Sequence, residues 1–217
     1  MSESHRLVVA LTRMKRLLEK YSVNSWLPTI KQLLEMPPEK LRSETAEELF
    51  SGSPMGNMTG LSIMKMNGHK VLREEEANFE LDAVRAVLYE EAKFPTHGET
   101  AKRSIKHFRR YPTTHEEWED ELLSENLEGI FDVLLWITYF HDDWQWVQDW
   151  CLQFLDHPNP DVRALAVNCL ADLAQLHKTL DTNKVVPRLQ QLMNDPEVQN
   201  SAEEAMRDIN SVLRIFS

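Results

Sequence analysis

The sequence predicts an all-α protein with one small β-hairpin. Through most of the 217 residues, apolar side chains recur at the three- and four-residue spacing of a helix, and only 6 residues are glycine. Turn-forming residues and a change of charge divide the chain. We expect a helical domain over residues 1–97, a basic linker over 98–114 and a C-terminal array of helical repeats over 115–217.

Three helices are predicted in the first 50 residues. The first carries an apolar stripe with helical spacing, formed by Leu7, Val8, Leu11, Met14, Leu17, Leu18 and Tyr21. We expect this stripe to face a core rather than a membrane, because a second amphipathic segment follows at once from Trp26. Pro37 and Pro38 end that segment, and they suit the first turn of a third helix over 39–50.

The β-hairpin is predicted near residues 61–72. Asn67 and Gly68 form a dipeptide that suits the tight type I′ turn of a hairpin. Three glycines between 52 and 60 resemble a phosphate-binding loop, but no Gly-Lys-Ser/Thr ending follows them. A plain loop is therefore expected before the hairpin. After it, the helical period returns from Glu74 to about Pro95.

The linker marks a reversal of charge. Residues 99–110 contain five bases and one acid, whereas residues 111–162 contain thirteen acids and no Lys or Arg. The basic cluster could bind nucleic acid, but we favour neutralisation of the neighbouring acidic block, which would repel phosphates. An acidic block of this size favours a cationic partner. The expected partner is a basic protein, with no direct binding of nucleic acid.

The two cysteines, Cys151 and Cys169, lie on apolar faces of predicted helices. We expect both to be buried and reduced rather than paired. The N-terminus has no hydrophobic signal core, and no apolar run approaches the roughly 18 residues that span a bilayer. The sequence therefore predicts a cytoplasmic protein with no membrane partner and no cofactor.

The second half is predicted to contain only helices, at about 116–123, 127–140, 143–156, 160–176, 182–193 and 198–214. A shift of 38 residues within it superimposes apolar positions: Val147 on Val185, Cys151 on Leu189, Phe154-Leu155 on Leu192-Met193, Ala164 on Ala202, Val167 on Ala205 and Ala171 on Ile209. It also superimposes Pro158 on Pro196. Two helices per repeat at this period indicate a stacked array of helical hairpins.

The stretch "LDHPNPDVRALAVNCLADLAQLH" resembles a HEAT repeat, in which a turn with Pro and Asp leads into a helix with Arg near its start. Pro160, Asp161 and Arg163 match that pattern. Together with "VVPRLQQLMNDPEV" and "AEEAMRDI", it resembles the short HEAT-like immunity proteins of bacterial contact-dependent growth inhibition and related toxin systems. The resemblance covers about residues 127–214. It implies an acidic immunity protein that neutralises a basic toxin domain, most naturally a nuclease, and a HEAT-like adaptor without a toxin partner is the alternative.

The dipeptide His141-Asp142 is typical of HD-type metal phosphohydrolases, which is a further alternative. That chemistry needs another His and another Asp, and divalent metal sites generally need three or more correctly spaced ligands. No pair of histidines has the i, i+4 spacing of a helical metal motif. Asp142 or Asp143 is better explained as the N-cap of the next helix. With no Gly-x-Ser-x-Gly elbow either, we expect no enzyme, no catalytic residue and no metal.

The candidate binding site is a second stripe on the helix predicted over 143–156. At 100° per residue, Val147, Cys151, Phe154 and Leu155 form the core face. Five residues spaced 4, 3, 4 and 3 point elsewhere: Asp142, Trp146, Asp149, Gln153 and Asp156. An indole on such a stripe needs cover, either from the first half of the chain or from a partner. We expect these residues, with Glu119 of the preceding acidic helix, to contact the basic partner.

Overall fold

The computed structural model describes residues 3–51, 58–93 and 114–215, and within these ranges it contains ten α-helices and no strand. In chain order the helices are α1 (Glu3–Lys20), α2 (Leu27–Leu34), α3 (Pro38–Phe50), α4 (Glu74–Lys93), α5 (His115–Leu122), α6 (Leu127–Phe140), α7 (Trp144–Phe154), α8 (Pro160–His177), α9 (Thr182–Leu192) and α10 (Gln199–Leu213). The all-α prediction is confirmed. The chain divides into two compact units, Met1–Tyr111 and Pro112–Ser217.

The first unit contains α1 to α4. Helix α1 packs against α2 and α4, and α3 packs against α4. The predicted stripe of α1 is buried except at Val8, which is 38% exposed, while its neighbours Val9 and Ala10 are buried instead. Helix α1 is therefore enclosed over a wider arc than the stripe alone indicated, because α2, α3 and α4 all pack against it.

Charged side chains are buried between the helices of this unit. Glu91 of α4 pairs with Arg6 of α1 at 2.9 Å, and Arg42 of α3 lies 3.8 Å from the same carboxylate. Glu80 pairs with Arg13 of α1 at 3.4 Å. Glu90 is also buried, and its Oε2 atom accepts no hydrogen bond from the residues that the structure describes. Burial, and then the charge of Glu91, raise the pKa of Glu90 above its ordinary value.

The prediction of a β-hairpin at 61–72 is wrong. The turn is a 3₁₀ helix, Lys65–Asn67, closed by Gly68 in the left-handed region at φ +80°. Before the turn, both backbone groups of Ile63 are bonded to the side chain of Asn78 on α4, at 2.8 and 2.9 Å. Because a helix side chain satisfies these groups, they do not form a strand ladder with the residues after the turn.

Two expectations lie largely outside the described residues. The basic linker predicted at 98–114 is described only at Thr114, and the glycine-containing loop only from residue 58 onward. The helix expected to end near Pro95 is described to Lys93.

The second unit is built from three consecutive helical hairpins, α5–α6, α7–α8 and α9–α10. The second helices of the hairpins form a layer in which α8 packs between α6 and α10. Thirteen of the 18 residues of α8 are buried, so α8 is the central helix of the unit. In the part of the chain that the structure describes, no helix combines the length and the apolar composition needed to cross a bilayer.

The 38-residue repeat is present in three dimensions. Five of the apolar pairs that the shift superimposes are buried, from Val147 and Val185 through Ala171 and Ile209, whereas Leu192 and Met193, the counterparts of Phe154 and Leu155, are half-buried. The helix starts follow the same period, because Asp143 caps α7 and Asp181 caps α9. The two hairpins α7–α8 and α9–α10 are therefore successive copies of one structural unit.

Arg163 connects these two hairpins. One of its terminal nitrogens donates to the carbonyl oxygens of His157 and Pro158, at 2.8 and 3.0 Å. The other donates to Asp195 at 2.9 Å and to Glu197 at 3.3 Å in the equivalent turn of the next hairpin. The arginine that carried the resemblance to HEAT repeats thus ties one turn to the next.

Candidate functional site

The start of α7 is determined by local hydrogen bonds around His141. Asp143 is the N-cap, and its Oδ1 atom accepts from the backbone N–H groups of Gln145 and Trp146, both at 3.1 Å. The backbone N–H of Asp143 donates to Nδ1 of His141 at 3.0 Å. The predicted N-cap is confirmed at Asp143 rather than Asp142, and one imidazole nitrogen of His141 already has a structural role.

The described residues around His141 and Asp142 do not form a metal site. Within residues 3–51, 58–93 and 114–215, no group of three or more His, Cys, Asp or Glu side chains is arranged to hold a metal ion. Cys151 and Cys169 are buried. The described groups in ring contact with His141 are His115, Trp118 and Trp146.

The two faces predicted for α7 are present. Val147, Cys151, Phe154 and Leu155 are buried. On the other face Asp142, Asp149, Gln153 and Asp156 are exposed, and Trp146 is half-buried among them. All five residues of the predicted stripe therefore lie at the surface of the second unit, and Glu119 of α5 is half-buried.

Trp146 is covered by rings from its own unit. The ring centroid of His115 lies 4.2 Å from that of Trp146, and the ring centroid of His141 lies 4.7 Å from it. Trp118 of α5 completes the group, at 5.4 Å from His141. We call His115, Trp118, His141 and Trp146 the four-ring cluster. Sequence reasoning considered the first half of the chain or a partner as the cover, and it missed α5.

The aromatic surface continues along α7. Trp150 lies 6.2 Å from Trp146, and Phe154 lies 6.0 Å from Trp150. The i, i+4 spacing of these three residues was visible in the sequence and could have indicated a continuous row. His157 follows Phe154 at 6.0 Å. Burial lowers the pKa of His157, and the positive charge of Arg163 lowers it further, although its bond to Asn159 opposes them.

Bases of α9 neutralise the C-terminal end of the stripe. Lys184 pairs with Asp149 at 3.2 Å, and Arg188 pairs with Asp156 at 2.7 Å. Exposed ion pairs of this kind contribute little stability, about 0–1 kcal/mol each. They nevertheless cancel the negative charge at this end of α7, so Asp149 and Asp156 are not free acids.

The N-terminal end keeps its charge. Among the residues that the structure describes, Glu116, Asp120 and Asp142 are exposed and form no ion pair. Glu119 lies 3.6 Å from His115, a contact that is ionic only when the imidazole is protonated. His177 is affected by Asp142, because burial lowers its pKa and the charge of Asp142 partly opposes that effect.

The acids of α5 also have structural roles. Thr114 and Glu117 form the predicted capping box, with bonds of 3.2 and 3.3 Å between their side chains and each other's backbone N–H groups. Glu121 accepts a hydrogen bond from Asn126 at 2.7 Å. These two acids hold the helix in place, whereas Glu116, Glu119 and Asp120 are left to the surface.

The comparisons with known proteins point to the same unit. The HEAT repeat family model matches residues 139–177, which span the end of α6, all of α7 and all of α8. No curated protein and no solved structure matches the chain. The chain therefore contains a HEAT-like repeat, and its fold is that of a helical repeat protein. HEAT repeats are typical of helical adaptor or scaffold proteins, in which the surface of the array binds other proteins.

Proposed function

We propose that this protein is an acidic immunity protein, which binds a basic toxin domain and neutralises it. The observation that carries the proposal is the exposed acidic and aromatic surface of α5 and α7 on a HEAT-like unit. Half-exposed tryptophans beside uncompensated carboxylates are the arrangement that protein-binding hot spots commonly take. The match to the HEAT repeat model at residues 139–177 supports a protein-binding role, and the toxin as partner is the expectation taken from the sequence resemblance of residues 127–214.

A nuclease is the toxin that this chemistry fits best. Its groove must be cationic in order to hold phosphates. A protein with a net charge of −11 meets that groove in a favourable field, which also accelerates encounter. The proposal places the protein in the cytoplasm, where buried thiols such as those of Cys151 and Cys169 stay reduced.

The second candidate is a HEAT-like adaptor with no toxin partner. The match to the HEAT repeat model at residues 139–177 favours it as much as it favours an immunity protein. Both candidates use the same surface, and they differ in the partner and in the biological effect of binding.

A growth assay separates the two candidates. The C-terminal domain encoded by the gene directly upstream would be expressed in bacteria with and without this protein. An immunity protein restores the growth that the domain inhibits, and the two purified proteins form a complex. An upstream domain that is harmless, or whose toxicity persists with this protein present, contradicts the proposal and leaves the adaptor.

We propose no catalytic role for the His141-Asp142 dipeptide. Support comes from the hydrogen bond that His141 accepts through Nδ1 and from its packing against Trp146. Metal analysis of the purified protein is the test. Manganese or iron bound in a one-to-one ratio, and lost in a His141→Gln variant, would instead indicate a metal phosphohydrolase.

A further inference from the structure

The negative charge of α7 is unequal at its two ends, and this difference locates the docking surface more narrowly than the stripe does. Asp149 and Asp156 are each paired with a base of α9. Asp142, four residues before Trp146, is exposed and has no such partner within the described residues. Among the described acids of the stripe, the one without an ion pair is therefore Asp142, at the end of the stripe that follows His141.

The four-ring cluster brings the same kind of charge from α5. Glu119 follows His115 by one helical turn and lies 3.6 Å from it, and His115 packs on Trp146 at 4.2 Å. Glu119 on α5 therefore adjoins the cluster through His115, and Asp142, in the turn before α7, adjoins it as the chain neighbour of His141. Glu116 and Asp120 are exposed on the outer side of α5 and extend the negative field. We call the cluster and its two flanking carboxylates the α5–α7 edge.

The α5–α7 edge combines flat rings with carboxylates, and this combination matches one side chain best. A guanidinium group is planar, stacks on indole faces and bonds a carboxylate through two N–H groups at once. An ammonium group is a strongly hydrated point charge that does neither as well. Cation–π contacts are also made more often by Arg than by Lys.

We propose that the α5–α7 edge is an arginine-binding surface, whose occupant is an Arg side chain on a basic protein segment. The inference rests on the proposed function, from which it takes a basic protein as the partner. It adds the residue type that is recognised, and it assigns Asp149 and Asp156 to pairing with α9 rather than to partner contact.

The test measures binding of a fluorescent oligo-arginine peptide to the full chain by anisotropy at low ionic strength. An oligo-lysine peptide of equal length is compared under the same conditions. We expect the arginine peptide to bind at least about fivefold more tightly, because only it can stack and form paired hydrogen bonds. Equal affinities would overturn the assignment of arginine.

Two matched variants locate the site. Glu119→Gln with Asp142→Asn removes both flanking charges, and we expect affinity for the arginine peptide to fall roughly tenfold. The control, Glu39→Gln with Glu48→Gln, changes the net charge equally at two exposed positions of the first unit. It should lower affinity less than about twofold, as a general effect of charge. Equal losses in the two variants would overturn the site.

A third variant tests the neutralised end of the stripe. Asp149→Asn with Lys184→Gln removes an entire ion pair and leaves the net charge unchanged. We expect no change in affinity for the arginine peptide, and a large loss would show that the whole stripe binds.

A single-stranded oligonucleotide should not bind, whereas binding that Trp118→Leu abolishes would identify a nucleic-acid surface in place of an arginine surface.

The outcomes of the peptide and growth assays are independent. If the arginine peptide binds at the α5–α7 edge but the growth assay fails, the toxin assignment is lost and the surface remains. If growth is protected while Glu119→Gln with Asp142→Asn has no effect on peptide binding, the immunity function stands and this surface is wrong.

Discussion

At the residue scale, the side chain of Glu90 is a buried carboxyl group with one oxygen that lacks a hydrogen-bond donor in the part of the chain that the structure describes. It is 6% exposed, and within the described residues no donor reaches its Oε2 atom. Its neighbour Glu91 is paired with Arg6 and Arg42, so the available cations serve Glu91 instead. A buried group in this position favours its neutral form.

We predict that Glu90→Gln stabilises the protein at neutral pH by about 1 kcal/mol, because it removes a buried group that ionises unfavourably. The pKa of Glu90 is raised in the folded state, so its contribution is fully present below the unfolded pKa. That contribution is lost as the pH rises through the folded pKa. Urea unfolding from pH 4 to about pH 8 should show a flatter stability profile for the variant.

The control for this experiment is Glu39→Gln, at an exposed position of α3. It should leave the pH profile of stability unchanged. If the two substitutions flatten the profile equally, the effect belongs to net charge rather than to burial of Glu90.

At the element scale, the helices could be predicted from the sequence almost residue by residue. Apolar periodicity indicated their length, and capping residues such as Thr114 and Asp143 indicated their starts. The hairpin was wrong because the Asn67-Gly68 dipeptide reports only on the turn. The partner of the preceding backbone is Asn78, which lies on another element. The turn residues alone could not show that the side chain of Asn78 would bond the backbone of Ile63 in place of a second strand.

The candidate site was also predictable only in part, because the sequence pattern of one helix carries no information about its neighbours. The stripe on α7 followed from helical geometry, and its residues are at the surface as expected. The bases that pair with it are 35 and 32 residues further along the chain. Their positions depend on how α9 packs beside α7, and the cover of Trp146 depends on how α5 is placed. Both are tertiary contacts, which periodicity within one helix does not specify.

Arg163 gives the prediction that belongs to this scale, since it joins two hairpins. Arg163→Ala should lower the free energy of unfolding by about 2 kcal/mol, because the carbonyls of His157 and Pro158 lose a donor. Arg163→Lys should recover less than half of that loss, since an ammonium group cannot reproduce the forked geometry. Chemical denaturation with far-UV circular dichroism is the measurement.

Arg207→Ala, at an exposed position of α10, is the matched control. Its effect should be within about 0.5 kcal/mol of zero. A loss at Arg163 no larger than the loss at Arg207 would show that the turn does not depend on this arginine.

At the scale of the whole molecule, the second unit has a core of its own. Helix α8 is enclosed by α6, α7 and α10, all of which belong to the same unit. Repeat units of this kind are stabilised by contacts with their immediate neighbours. The first unit has a separate core in which α1 packs against α2 and α4.

We predict that a fragment comprising residues 112–217 folds without the first unit. It should give a helical circular dichroism spectrum and unfold cooperatively in urea, because the buried face of α8 is covered within the fragment. A second fragment that ends at residue 181 lacks α9 and α10, and it should not unfold cooperatively. A longer fragment that behaves like the shorter one would show that the second unit needs the rest of the chain.

The two bases of α9 offer a route by which binding specificity could change between related sequences. Lys184 and Arg188 determine how much negative charge α7 presents, although neither residue is part of α7. A single substitution at either position would leave Asp149 or Asp156 without its ion pair and lengthen the uncompensated acidic surface without changing α7 itself. Because exposed ion pairs contribute little to stability, such a change would alter specificity while leaving the fold intact. Substitutions in the α9–α10 hairpin could thus change which partner the α7–α8 hairpin binds.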